Sequence, residues 1–466
     1  MDQSGQFARL SSLVYMAALS QLRKLGLFDA RVPRYTSYPT ANHFKPDIGP
    51  PEFRAWLAAV PSGQSISLYL HVPFCRRLCW FCACRTQGTN TAAPLRGYLD
   101  TLKMEIDLVA EALPDGVTLE RLHWGGGTPT LMPSDMIREL AETIAGRFPF
   151  ARDYEFSVEI DPNEIDEDRL DAFARAGLNR ASIGVQDFDP LIQQTIGRPQ
   201  SFAITKSAAD ALRARGIRSL NVDILFGLPH QTKARISESV QQVMSLSPDR
   251  VALYGYAHVP WMARRQSMIP TETLPSPEDR LSLDETARRL FVWDGYHEIG
   301  IDHFARQGDG LEVAQREGRL RRNFQGYTDD TAAALIGLGA SSISRFPQGF
   351  AQNDASTSAY QGAIRDGRFA TARGHAFSDE DRLREAMIGA LMCDFRIDFD
   401  TIAAQFDLPP AEVAQRLDGI DDAFPGMLAH EKRAIEIRRD ARPLTRMIAR
   451  FLDTYAVNDG GHSAAI

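Results

Sequence analysis

The sequence predicts an α/β protein: a partial parallel β/α barrel followed by a smaller, mainly helical C-terminal unit. Three observations predict it. Between residues 66 and about 345 short apolar runs alternate with amphipathic stretches, the pattern of repeated β-α units on a parallel sheet. Motif residues stand at the carboxyl ends of those runs, where such a barrel carries its active site. Near Phe377 the strand-like runs give way to helical periodicity.

Residues 1–60 form an N-terminal extension that contains PRYTSYPT. The barrel is expected over 61–350, with strands in ISLYLHV (66–72), LERLHWGG (119–126), EFSVEI (155–160), ASIGV (181–185), SLNVDILFG (219–227) and VALYGY (251–256). Between the first two runs, Leu95, Leu99, Leu102, Ile106 and Val109 share one helical face, and Ile204, Ala208 and Leu212 do the same later. The C-terminal region, 351–466, opens with a capping box, Ser378 and Asp381, before a helix bearing Leu383, Met387, Ile388 and Leu391. FDTIAAQFDLPPAEVAQRLDGI then reads as two short helices around Leu408-Pro409-Pro410, a winged-helix-like element. Residues 1–10 and the tail from Asn458 are expected to be mobile.

Composition narrows the function. At 466 residues, 44% hydrophobic and 24% charged, the chain can bury a sizeable core. A net charge of −8 argues against nucleic acid as the main partner, and the winged-helix-like segment has only Arg416 against several acids, which favours a lid or docking module over a DNA reader. The apolar run from Leu13 to Leu19 is short and broken by Ser20 and Gln21, so neither a signal peptide nor a membrane span is expected. Closely spaced thiols without distant pairs point to a reducing, cytoplasmic setting. Arg316, Arg319, Arg321 and Arg322 make the densest basic patch, which is either a solvated helix end or a clamp for substrate carboxylates.

The chemistry is concentrated in LYLHVPFCRRLCWFCACRTQG, which holds four of the five cysteines. Cys75, Cys79 and Cys82 follow C-x-x-x-C-x-x-C, three thiolates from one loop, which leaves one iron of a four-iron cluster without a protein ligand. S-adenosylmethionine, chelating that iron, is the occupant this pattern favours. Zinc is the competing metal, but no second cysteine knuckle is present to complete a structural site. Trp80 and Phe81 beside the ligands suit a cluster shielded from water. His71 reads as a strand-end histidine with its bonds satisfied, and no H-E-x-x-H rivals the cysteines.

Gly125-Gly126-Gly127-Thr128 follows the second run, where missing Cβ atoms let the backbone approach a ligand such as the methionine amino group. No Gly-Lys-Ser/Thr follows, so a phosphate loop is not indicated. Glu159 and Asp223 end two further runs, where each could accept from ribose hydroxyls or an ammonium, or could simply cap structure. Gln186 and Arg198 lie on the next loop, and Arg198 could clamp a carboxylate.

These blocks, with RNFQGYT (322–328) and LGASSIS (338–344), closely resemble the oxygen-independent coproporphyrinogen III oxidases, radical S-adenosylmethionine enzymes, over nearly the whole length. The resemblance implies a radical-SAM-type barrel and a 4Fe-4S cluster on Cys75, Cys79 and Cys82, with Cys84 not a ligand. It implies one S-adenosylmethionine held by Tyr69, Gly126, Glu159, Ala257 and Ile343, and a second near Phe81, Gly127, Thr128, Gln186, Arg198 and Asp223. The implied reaction converts two propionates of coproporphyrinogen III to vinyls, with carbon dioxide, a hydrogen atom and one further electron leaving each. A low-potential one-electron donor protein and a monomeric chain are expected with it. A haem-trafficking chaperone on the same barrel is the alternative; such relatives usually follow the third cysteine with Asp-Phe, whereas Ala83-Cys84 stands here. Residue 85 is Arg where many relatives have Asn, and about twenty extra residues precede the PRYTSYPT block.

Overall fold

A computed structural model describes residues 19–455 and 463–466. All six apolar runs are strands: β1 (Ser65–Val72), β2 (Thr118–Gly126), β3 (Phe150–Ile160), β4 (Arg180–Gln186), β5 (Ser219–Phe226) and β6 (Arg250–Gly255). They pair side by side in chain order, each parallel to the one before. Ile66, Leu68, Leu70 and Val72 of β1 are buried, and so are Ser67 and His71 between them, as expected of a parallel strand covered on both faces.

Helices Ala93–Ala112, Ser134–Arg147, Glu167–Arg175, Phe202–Ala214 and Lys233–Ser245 make the successive crossovers. Asp166, Ser201 and Thr232 start three of them by accepting backbone N–H groups that the first turn would leave unpaired. Leu95, Leu99, Leu102, Ile106 and Val109 bury one face of the first crossover helix. In the helix from Phe202 the buried stripe is Thr205, Ala208, Ala209 and Leu212, while Ile204 is 42% exposed. Ile204 lies one residue off an i, i+3, i+4, i+7 row, so the face is shifted from the one the apolar residues alone suggest.

The sheet continues beyond the six runs. Leu335–Leu338 pairs parallel with β1, and Ile343–Phe346, Gly349–Asn353 and Thr371–Ala376 extend it antiparallel. At the other end His303–Ala305 and His297–Ile299 add two antiparallel strands to β6. The sheet is open, with Thr371–Ala376 and His297–Ile299 as its edges, which makes the barrel partial. It therefore runs past residue 350, where the sequence pattern placed the end of the barrel region: short hairpin strands around Gly349 carry too few residues to show an alternation.

Two main cores follow. The larger lies between the sheet and its helices. The second joins the N-terminal residues Leu22, Leu27, Phe28, Val32, Tyr35 and Tyr38 to the C-terminal helices. The PRYTSYPT block thus packs against the C-terminal unit, where Tyr35 Oη donates to Asp453 Oδ2 at 3.0 Å. The Ser378 capping box forms as read, opening the helix Asp379–Asp394. Helices Phe399–Phe406 and Pro410–Gln415 flank the double-proline turn, and strands Arg396–Asp398, Ala434–Ile437 and Leu428–Glu431 complete a small antiparallel sheet. Among the described residues no helix is long and apolar enough to cross a membrane. The apolar run from Leu13 lies, up to residue 18, outside the described residues, as do the ends expected to be mobile, except that Ser463–Ile466 are held: Ala465 N–H donates to Ala30 O at 2.8 Å.

Candidate active site

The cysteine loop leaves the carboxyl end of β1 and is closed at its neck. Gln87 N–H donates to Pro73 O at 2.8 Å and Thr89 N–H to Cys75 O at 3.0 Å. Midway, Trp80 N–H reaches Ile196 O at 2.9 Å, and the Trp80 and Phe81 rings pack against Ile192, Ile196, Leu228, Tyr256 and Ile269. Arg265, which no sequence signal marked, donates to Cys84 O, Thr86 O and Thr86 Oγ1. A loop tied at four points holds its thiols in place. Burial pushes the Cys75 thiol up, opposed by hydrogen bonds from Thr128 and Thr86. The Cys82 thiol is lowered, because the hydrogen bond from Cys84 and the fields of Arg265 and Arg198 outweigh its burial.

The glycine run meets this loop from β2. Gly127 N–H donates to Val72 O at 2.9 Å and Thr128 N–H to Phe74 O at 2.7 Å. A Cβ on Gly127 would stand 2.6 Å from Phe74 O and 2.7 Å from Val72 O, so only glycine allows the two chain segments this close. Gly126, at φ +103°, faces the His71 ring. Its N–H donates to Glu159 Oε2 at 3.0 Å. His123 Nε2 lies 3.4 Å from Glu159 Oε1, and its Nδ1 pairs with Ser157 Oγ at 2.6 Å. Burial works against the Glu159 charge, yet His123, the Gly126 N–H and His71 together hold the carboxyl below its usual range. Tyr69 stacks on His123, with ring centroids 5.7 Å apart, and pairs with His71 Nδ1 at 3.0 Å. The other His71 nitrogen meets Arg85 O, so this histidine is the satisfied structural residue the sequence suggested.

Further along the sheet, Asp223 Oδ2 accepts from Ser182 Oγ at 3.1 Å and Oδ1 from Asn221 Nδ2 at 2.8 Å. Burial raises its carboxyl, and nearby Glu159 adds to the rise. Gln186 ends β4 at φ +70°. Arg198 donates to Gly184 O at 2.9 Å, stands 3.5 Å from Asp161 and places Nη1 3.4 Å from Cys79 Sγ. Folding thus brings Arg198 against a cysteine 119 residues away in the chain. Ala257 lies just past β6 and is tied to the cysteine loop by Gln266, whose Nε2 donates to Ala257 O at 3.0 Å and Phe81 O at 2.7 Å. Gln266 is almost wholly buried, a positioning residue that a lone Gln in a loop gave no means of recognising. Ile343 sits beyond β1 on the far flank, its backbone packed on Gly337. Of the candidate ligand-holding residues only Thr128 is fully buried; the others keep partial exposure, as the lining of an accessible space would.

The arginine patch divides. Arg316 and Arg319 are exposed and paired to Glu312 and Glu317, whereas Arg322 is buried against Asp302 and lines a cavity of about 270 Å³ between the barrel and the C-terminal unit. A second cavity, of about 660 Å³, is flanked by Cys82 and Cys84. Arg416 is taken up by Glu380 at 3.1 Å and so offers no phosphate contact.

Among the described residues no three His, Cys, Asp or Glu side chains close around a point where one metal ion would be held. A single zinc requires its sulfurs about 2.3 Å from one centre. A cluster spreads its thiolates over several irons, and an all-sulfur donor set on a pinned loop beside two cationic arginines suits it.

Comparison with known proteins agrees with this geometry. The Radical SAM superfamily matches residues 69–243. An oxygen-independent coproporphyrinogen III oxidase of Paracoccus denitrificans (strain Pd 1222) is 63% identical over 451 residues, covering 97% of this chain and 100% of that one. The protein of that name from Escherichia coli (strain K12) is 38% identical over 91% of this chain and 93% of its own length. The solved structure of a coproporphyrinogen III oxidase from Escherichia coli, described as a radical SAM enzyme, superposes with a TM-score of 0.86 at 36% identity, over 92% of this chain and all of that one.

Proposed function

This chain belongs to the oxygen-independent coproporphyrinogen III oxidases, and from that premise we propose how its residues share the work. The reaction is the oxidative decarboxylation of two propionates of coproporphyrinogen III to vinyls, giving protoporphyrinogen IX. A 4Fe-4S cluster with bound S-adenosylmethionine would supply, on reduction, the radical chemistry that removes a hydrogen atom from the substrate. Cys75, Cys79 and Cys82 hold the cluster, and Cys84 stays off it, supporting Cys82 through its N–H at 3.4 Å. Tyr69, Gly126, Glu159, Ala257 and Ile343 hold the first S-adenosylmethionine. Supporting this, the Glu159 carboxylate is kept ionised for an ammonium or hydroxyl donor, and Gly126 removes the Cβ that would otherwise fill the space by His71. Phe81, Gly127, Thr128, Gln186, Arg198 and Asp223 form the second such site; Arg198 stands ready for a carboxylate, and Asp223 is held by Ser182 and Asn221 for a hydroxyl or ammonium.

The single observation that carries this reading is the pinned loop of three thiols at the carboxyl end of β1 and the ionised Glu159 near the carboxyl end of β3, joined through the Gly126 N–H on the strand between them. The relatives reported above are named as oxidases, so nothing favours the haem-trafficking alternative. We also infer that a low-potential one-electron donor protein approaches where Cys82 and Cys84 border the larger cavity, and that the chain works as a monomer in the cytoplasm. Five free cysteines support a reducing setting, and one chain carries the whole constellation. We divide the chain into the N-terminal segment 1–60, a barrel region beginning at 61, and a C-terminal region from 351 whose first strands complete the sheet.

Anaerobic incubation with coproporphyrinogen III, S-adenosylmethionine and a chemical reductant tests the function by product analysis. Protoporphyrinogen IX should form, and brief exposure to air should bleach the visible absorption and abolish turnover together. Turnover surviving complete bleaching would remove the cluster from the mechanism.

A further inference from the structure

The cavity of about 270 Å³ between barrel and C-terminal unit has an unusual charge balance. Seven arginines and five acidic residues line it. Arg288 is matched by Asp284 and Glu298, and Arg322 by Asp302. Arg34, Arg280 and Arg446 are not matched. Arg34 Nη2 donates to Gly255 O at 2.7 Å, and Arg280 Nη2 to Tyr256 O at 2.7 Å with its Nε on Ile466 O at 3.1 Å. Arg446 donates to Val32 O, Pro33 O, Ala464 O and Ala465 O. No Asp or Glu carboxylate among the described residues pairs with any of the three, and the Ile466 oxygen on Arg280 Nε is that of the last residue of the sequence. Burial and the neighbouring cation Arg34 bring Arg280 down to about 10 and Arg446 down to about 9. In addition, the buried Nε atoms of Arg322 and Arg442 have no hydrogen-bond partner.

Gathering cations whose partners are mostly neutral carbonyls is costly unless something anionic shares the space. Charge-assisted bonds to a carboxylate are about twice as strong as those to a carbonyl, and a guanidinium fork matches a carboxylate in two bonds. The cavity also adjoins the site already described. Tyr256 lines it and packs in the same apolar group as Trp80 and Phe81. Its volume is below the ~300–1,000 Å³ of a site that engulfs a drug-sized ligand, so it takes an edge of a tetrapyrrole and not the whole.

We propose that Arg34, Arg280 and Arg446 bind the two propionates of coproporphyrinogen III that survive the reaction. The proposal rests on the function given above and adds to it the residues that seat the substrate. Chemistry selects these two propionates. A carboxylate clamped by arginine is stabilised as an anion, which opposes the loss of an electron and of carbon dioxide that the reacting propionates undergo; the surviving pair keeps its charge throughout. Contacts made equally to substrate, transition state and product act on KM and leave kcat nearly alone. The backbone carbonyls of Ala464 and Ala465 are weaker acceptors that the incoming carboxylates displace.

The test uses Arg280→Gln and Arg446→Gln, each with its Lys counterpart, in the reconstituted full chain. Two fluorescent, non-reacting probes are titrated: coproporphyrin III, with four propionates, and protoporphyrin IX, with only the surviving two. Each Gln variant should weaken both probes by roughly tenfold or more. KM for coproporphyrinogen III should rise by a similar factor, with the loss falling on KM and not kcat, iron content unchanged, and the Lys variants recovering part of the affinity. Wild-type affinity for both probes in folded Gln variants overturns the proposal, as does a loss confined to coproporphyrin III. A lower melting temperature with unchanged KM assigns these arginines a merely structural role and also overturns it. Because probe binding needs no turnover, failure of the wild-type protein to decarboxylate would count against the proposed function and be seen separately from these outcomes.

Discussion

Removing Arg198 probes the electrostatics of the cysteine loop most directly. The Arg198→Ala substitution deletes a buried cation 3.4 Å from Cys79 Sγ without stripping its other partners bare. Asp161 keeps the Asn163 backbone N–H at 3.0 Å and its side-chain amide at 3.1 Å, and Gly184 O keeps Gln200 Nε2 at 3.1 Å. The fold should therefore lose only about 1–3 kcal/mol. At 3.4 Å and an effective dielectric near 20, unit charges interact by roughly 5 kcal/mol. In a one-electron couple, at about 59 mV per 1.4 kcal/mol, that sets an upper bound of roughly 200 mV. The guanidinium charge is delocalised and Asp161 lies 3.5 Å from it, so a shift on the order of 50–100 mV is expected. The sign is fixed: without the cation, the more negative reduced cluster is less stable and the potential falls. Redox titration followed by electron paramagnetic resonance on reconstituted wild type, Arg198→Ala and Arg198→Lys reads it, with Lys recovering part of the shift. A change under about 20 mV in a folded, fully loaded Arg198→Ala protein would refute the electrostatic role.

Single Cys→Ala changes at Cys75, Cys79 and Cys82 should each abolish normal iron and sulfide loading, while Cys84→Ala and the buried Cys393→Ala should retain it; full loading of the Cys79 variant would sink the three-ligand assignment. Gly127→Ala places a Cβ against backbone atoms of Val72 and Phe74 that cannot rotate away, so a loss of about 1–3 kcal/mol in stability together with reduced iron content is expected, and a wild-type melting temperature would contradict it. Glu105 accepts from Gly339 N–H, Asn353 Nδ2 and Tyr360 Oη, and burial lifts its carboxyl from 4.5 to about 7. The folded state therefore holds this proton more tightly than the unfolded chain. Its contribution to stability is complete below about 4.5 and is lost as pH rises through about 7, amounting to about 3 kcal/mol. Urea midpoints at pH 5 and pH 8 should differ less in Glu105→Gln than in wild type, and equal differences would show that Glu105 does not carry this dependence.

The barrel and the cysteine loop were legible in the sequence because their determinants are local. An apolar run of five to nine residues, a C-x-x-x-C-x-x-C spacing and a triple glycine each state their geometry within one segment, and parallel pairing in chain order places their ends together. The antiparallel strands that extend the sheet from Ile343 to Ala376 were not legible: with four to six residues each, they are specified by the neighbours they pair with and not by a pattern of their own. Distance along the chain hid the rest. Gln266 reaches Phe81 across 185 residues, and Arg198 meets Cys79 across 119. The carboxylate-seeking arginines come from residues 34, 280 and 446, which only the packing of the N-terminal segment under the C-terminal helices brings to one wall. Of the four arginines clustered in sequence, the exposed Arg316 and Arg319 turned to nearby acids and Arg322 alone lines that cavity. Spacing along the chain sets which atoms can share a loop, but burial and the partners it imposes, decided by tertiary packing, set which charges are left for a ligand.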